Sequence, residues 1–105
     1  MKRAAVLFAL GLALAVGCGG GPSEEERDAA IDAAHAAYEE AIEQGVDMSN
    51  GPCLGEITEN WVADVAHEPR EEIDDDPANQ CEAFRKGDAD HFVELDTDGN
   101  LIRAE

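Results

Sequence analysis

Two cysteines, Cys53 and Cys81, lie in the body of this chain, and whether they pair bounds what it can fold into. The N-terminus decides that question. Lys2 and Arg3 precede an uncharged apolar run from Ala4 to Val16. The run is shorter than the ~20 apolar residues a membrane-spanning helix needs, and it ends in small residues, so it reads as a secretion signal. Export places the cysteines in an oxidising compartment, where a Cys53–Cys81 disulfide is the expectation. The loop it closes spans 28 residues. Chain entropy alone makes such a closure worth roughly 3.5 kcal/mol. The length beyond the leader allows one small domain, whose core is marginal without a staple of this kind. There is no Cys-x-x-Cys pair to suggest a catalytic thiol, and zinc on these two sulfurs would need further ligands and a reduced state.

The leader ends in Leu14-Ala15-Val16-Gly17-Cys18 and is followed by Gly19-Gly20-Gly21-Pro22-Ser23. This junction resembles the lipobox of bacterial lipoproteins, with Ala15 standing where Leu is more usual. The resemblance implies that residues 1–17 are a signal peptide and that Cys18 carries the lipid. Residues 18–22 then form the anchor and tether, and residues 23–105 a single domain. Gly19 follows the cysteine in place of the Asp that marks inner-membrane retention in enterobacterial lipoproteins. The resemblance therefore implies export and anchoring to the envelope, at the outer membrane. Gly19 to Pro22 reaches only ~14 Å when extended, which would hold the domain near the lipid surface.

Removing the leader takes away only Lys2 and Arg3, so 25 acidic residues stand against five basic ones, a formal net charge of −20. Such a surface repels nucleic acid and anionic headgroups, and suits a basic protein or cations. The acids are spread along the whole chain, as in a surface kept soluble or adapted to salt, which competes with an acidic binding patch as the explanation.

Local signals outline the elements. Ser23-Glu24-Glu25-Glu26 is a capping-box pattern, and its three acids suit the positive end of a helix dipole. Ile31, Ala34, Tyr38, Ala41 and Ile42 recur at helical spacing, and Gly45 supplies a stop, so a long helix is predicted over 24–44. His35 falls beside that stripe. The glycines of 45–55 predict a loop that includes Cys53. The stretch from Glu56 to His67 fits two templates. With period two, Trp61, Ala63, Val65 and His67 share a face opposite Val62, Asp64 and Ala66; with period 3.6, Ile57, Trp61 and Val65 align. A strand is the preferred reading, because a third strand would turn a marginal hairpin into a sheet, with Trp61 as a core anchor. Asp76-Pro77 predicts the cap and first residue of a helix through Lys86, ended by Gly87, with Cys81 and Phe84 facing inward.

The tail, Glu94 to Glu105, carries two readings. It resembles an EF-hand calcium loop, with acids at Glu94, Asp96 and Asp98, then Gly99, then Glu105 in the twelfth place. Against this, Glu94 stands where Asp is wanted, and the chain before it lacks a helical repeat. The preferred reading is a hairpin with a two-residue type I′ turn at Asp98-Gly99. Counting outward pairs Thr97 with Asn100, Leu95 with Ile102, Glu94 with Arg103 and Val93 with Ala104. Val93, Leu95, Ile102 and Ala104 then form an apolar face for the first helix, while Phe92 and Leu101 fit the other face poorly.

The expected architecture is thus α+β: one long N-terminal helix on a small antiparallel sheet with a C-terminal hairpin and one disulfide. His67 and His91, each at the end of a predicted strand, would approach one another in an antiparallel pairing, with Glu68 alongside as a possible metal cluster. No nucleophile–base set or phosphate-binding glycine loop accompanies them. The function expected is a non-enzymatic binding or envelope-assembly module with a protein partner in the envelope and an apolar groove near Phe92 and Leu101. The alternative is divalent-cation binding, with calcium the one candidate cofactor, by the acidic tail or by His67 and His91.

Overall fold

The computed structural model describes residues 21–105; Cys18 and the leader lie outside the described residues. Helix α1 spans Glu24–Glu43. At its start the Ser23 hydroxyl accepts from the Glu26 amide at 3.0 Å. At its end Gly45 adopts φ +83°, its amide bonding Ile42 O and that of Val46 bonding Ala41 O. These two bonds make the Schellman arrangement that only a residue tolerant of positive φ completes. The buried face is alanine-rich, comprising Ala30, Ala34 and Ala41, with Ile31 and Tyr38 half-buried beside it. The stripe is rotated from the expected one, since Ile42 lies 49% exposed. Small side chains let the helix axis come close to the sheet.

Four strands follow: β1 Cys53–Thr58, β2 Trp61–Val65, β3 His91–Leu95 and β4 Leu101–Ala104. They lie in the order β1-β2-β3-β4. The sheet is mixed rather than antiparallel. β1–β2 and β3–β4 are antiparallel, but the central β2–β3 pair is parallel, with Trp61 opposite His91 and Val65 opposite Leu95. Residues 66–90 form the crossover that returns the chain to the same end of the sheet, as a parallel pair requires. β1 occupies part of the predicted loop; Gly55, at φ +98°, sits in a register irregularity of the β1–β2 ladder, which hides the strand pattern in the sequence. The strand reading of β2 holds.

The predicted helix over 77–86 is broken. Asp76 does cap the Ala78 amide at 3.0 Å, but Pro77–Asn79 is a single 3-10 turn and Gln80 is extended. Helix α2 covers only Glu82–Arg85, with Gly87 at φ +85° beyond it. The break coincides with Cys81, which the disulfide to Cys53 holds with the two Cα atoms 5.0 Å apart.

The hairpin is present with a different turn. Val93 pairs with Ala104 and Glu94 with Arg103 as counted, but Leu95 pairs with Leu101, so Ile102 is the extra residue. Gly99 has φ +91°, while Asp98 is not among the residues of positive φ, which a type I′ turn would demand. The Gly99 amide bonds Asp96 O, and the Asp96 amide bonds Asn100 O. This is a three-residue loop whose last residue is left-handed, a commoner partner of Asp at the entry.

Two layers of core result. Trp61, Ala63, Val93, Leu95 and Ala104 face α1 and pack on Ala30 and Ala34. On the opposite face the crossover covers Val62, which clusters with Cys81 and Ala89 and with half-buried Cys53, Ala83 and Phe92. Phe92 thus finds its place on the second face, edge-to-face with Phe84 at 5.1 Å.

Candidate functional site

β2 and β3 carry the same pattern, Trp61-Val62-Ala63-Asp64-Val65 and His91-Phe92-Val93-Glu94-Leu95, and the parallel register sets them residue against residue. Each strand turns one apolar residue and one acid away from α1, so Val62 lies beside Phe92 and Asp64 beside Glu94. The crossover does not close over this face completely. It leaves a cleft of about 440 Å³ whose walls include Val62, Phe84, Phe92 and the Cys81 end of the disulfide, with Asp64, Glu94, Arg70, Arg85 and Arg103 as its charged groups. That volume falls within the ~300–1,000 Å³ range of small-molecule sites.

The two carboxylates differ in circumstance. Glu94 is 6% exposed and is held between two arginines, 3.1 Å from Arg70 Nη1 and 3.2 Å from Arg103 Nε. Arg70 is fixed in turn by Asp75 at 3.0 Å and by Asp74 O. Asp64 has no such partner. Its Oδ1 is buried and makes no hydrogen bond. Burial, reinforced by the Glu94 charge alongside and only partly offset by Arg70 and Arg103, pushes its carboxyl up to about 7. At neutral pH it is therefore present in both forms, and the protonated form can donate a hydrogen bond into the cleft.

Cations are scarce in this chain, yet three of the five basic residues among 21–105 line the cleft; Arg27 and Lys86 are the other two. Arg70 is engaged as described. Arg103 commits Nε to Glu94, and among the described residues no partner takes its two terminal nitrogens. The Arg85 side chain makes no hydrogen bond or ion pair among the described residues, although its place in the last turn of α2 suits its charge.

The residues singled out in the sequence are dispersed. His67 and His91 stand at opposite ends of the β2–β3 pair, because those strands run parallel; Val65 is four steps of strand, roughly 13 Å, from the level of His91, and His67 follows two residues beyond it. His91 stacks on Trp61 with ring centroids 4.9 Å apart. His67 belongs to the crossover, where its Nδ1 lies 3.0 Å from Asp74 Oδ1. Asp74, 4% exposed, also accepts the amides of His67 and Glu71 at 3.0 and 2.8 Å. Burial alone would raise the Asp74 carboxyl, but these bonds outweigh it and hold it below its ordinary value. The bond to Asp74 raises the His67 imidazole, with Glu71 adding to it. The cluster is a clasp for the crossover.

In the tail, Asp96 uses its carboxylate on the turn, accepting the amides of Asp98 and Asn100 at 2.9 Å each. Glu94 is engaged by arginines, and Glu105 pairs through its backbone with Phe92. Among the described residues no group of three or more His, Cys, Asp or Glu is placed to hold a metal ion. Leu101 is 40% exposed but lies outside the cleft. The groove expected near Phe92 and Leu101 is met at Phe92 alone; the Asp64–Glu94 pair and the arginines around it are not foreseen, although the repeated apolar–acid alternation of 61–65 and 91–95 is the available signal. Comparison with protein-family models, with curated proteins and with solved structures finds no match.

Proposed function

We propose that this chain is a non-enzymatic binding module, carried at the cell envelope by a lipid on Cys18, that takes a small molecule into the cleft between the crossover and the outer face of the sheet. The observation that carries this reading is Asp64, which lines a cleft walled by Phe84 and Phe92 and whose Oδ1 is buried without a partner. A buried carboxyl oxygen without a partner costs stability, and a proton on this carboxyl gives the lining of the cleft a hydrogen-bond donor for a ligand. A staple at Cys53–Cys81 fixes one wall, so the site is largely preformed and little ordering is needed on binding. The acidic surface elsewhere serves solubility, and the short tether keeps the cleft close to the lipid surface.

The test is a two-dimensional amide NMR titration of the uniformly labelled domain. Benzoate, benzyl alcohol, benzylamine and octanoate are each added to millimolar concentration. Saturable shifts grouped on Val62, Asp64, Phe84 and Phe92 are expected with at least one of them. If none of the four moves those amides, or the shifts gather elsewhere, the cleft is not a binding site.

A further inference from the structure

The charge arrangement of the cleft selects its ligand, and resting on the binding reading above, we propose that it takes a small organic anion. The carboxylate or similar head would meet Arg85 and Arg103, and an apolar body would lie against Phe84, Phe92 and Val62. The reasoning begins with what is still open for bonding. Glu94 is satisfied on both oxygens by Arg70 and Arg103, so it offers little to a ligand cation. Arg70 is consumed by Asp75, Asp74 O and Glu94. What remains along the cleft is the guanidinium of Arg85 and the terminal nitrogens of Arg103. Two forked donors match a carboxylate or phosphate better than any neutral group.

Position matters as much as sign. In a chain of net charge −20 beyond its leader, an anion is repelled by almost every part of the surface, and three arginines at one cleft create the local exception. A cation would be drawn to the acidic surface at large and would meet guanidinium groups at the cleft. The aromatic pair, with ring centroids 5.1 Å apart, offers the ligand an apolar wall, so a bare inorganic anion would leave that wall wet. The groups facing Asp64 are Glu94 from β3, Arg103 from β4, and Arg70 and Asp74 from the crossover. When Asp64 loses its proton, the cleft gains a negative charge beside the bound anion, so affinity for the anion falls as pH rises.

Isothermal titration of the full domain tests this. Benzoate, benzyl alcohol and benzylamine share a ring and differ in charge, while octanoate and acetate share a head and differ in tail. Benzoate is expected to bind on the order of tenfold more tightly than benzyl alcohol, and octanoate similarly more tightly than acetate. Arg85→Ala removes a side chain with no internal bond, so the fold is retained; it should cost benzoate most of its advantage over benzyl alcohol. Between pH 6 and pH 8, where benzoate stays ionised, its affinity should fall in the native protein and stay level in Asp64→Asn. Benzyl alcohol or benzylamine binding as tightly as benzoate, or Arg85→Ala without effect on benzoate, overturns the anion proposal and leaves the binding reading standing. Absence of binding by all five overturns both.

Discussion

The ring of Tyr38, on the middle of α1, lies where a Cβ on residue 99 would have to be: an ideal Cβ there comes 2.8 Å from Tyr38 Cε1. The Tyr38 hydroxyl also donates to Thr97 O at 2.7 Å. The helix thus reads the tight turn of the tail directly. Gly99 is fixed twice over, by its φ of +91° and by the ring above it. Gly99→Ala is expected to destabilise the domain by about 1–3 kcal/mol, and Tyr38→Phe by about 0.5–1.5 kcal/mol, in urea unfolding. An unchanged midpoint for Gly99→Ala would show that the turn can move off the helix. Millimolar calcium should leave the native midpoint where it is, because the Asp96 carboxylate already caps the turn.

Asp64 sets a pH dependence whose sign is fixed. Its carboxyl is raised to about 7 in the fold against an ordinary value near 3.8, so the folded state holds its proton longer than the unfolded state. Stability from this group is full below the unfolded value, declines as pH rises, and is lost above about 7. Asp64→Asn keeps the shape without the ionisation. It should flatten the decline between pH 4 and pH 7 and be the more stable protein at pH 8, by on the order of 2 kcal/mol. Thermal unfolding across that range measures it, and parallel curves for the two proteins would remove Asp64 as the source.

The His67–Asp74 clasp adds a second slope of the same sign. The imidazole is raised in the fold, so its contribution is complete below its unfolded value and lost as pH rises through the folded one. His67→Gln should therefore lower the melting temperature more at pH 5 than at pH 9. Asp74→Ala leaves two backbone amides without their acceptor and is expected to cost about 2–4 kcal/mol at any pH. Hydrogen exchange at Glu71 would report it, and unaltered protection there would contradict the clasp.

Opening the disulfide acts on stability and on the cleft together. Replacing Cys53 and Cys81 by Ser should cost roughly 3.5 kcal/mol by loop entropy. Because Cys81 lines the cleft, the same variant should weaken benzoate binding even where the domain remains folded. Binding of native strength by a folded variant would separate the staple from the site.

Much of this architecture was legible locally. Ser23 and Gly45 bound the first helix, Asp76 caps its turn, and Asp98-Gly99 locates the bend, because each acts through neighbours a few residues away. The Glu94–Arg103 pair followed from counting outward from that bend. Three features depended on distant chain. The parallel union of β2 and β3 is invisible to pairing rules that work from turns. β1 was concealed by Gly55 and by the glycine-rich approach to Cys53. The exposed Ile42 and the buried Ala30 show a stripe rotated by the close approach of alanines to the sheet. The cleft needed the first of these, since Asp64 meets Glu94 only across the parallel register. Read alone, Asp64 is an ordinary polar residue of an alternating strand.

The parallel centre of the sheet also orders events in time. His91 can join Trp61 only after the chain from 66 to 90 has doubled back, and closing so long a loop slows folding. Cys53 already lies opposite Asp64 once the β1–β2 hairpin has formed. A bond from Cys53 to Cys81 then brings β3 within ten residues of its place. Oxidation before β3 docks would convert a distant search into a local one, so the reduced chain should reach this fold more slowly than the oxidised chain, even under conditions where both finally attain it.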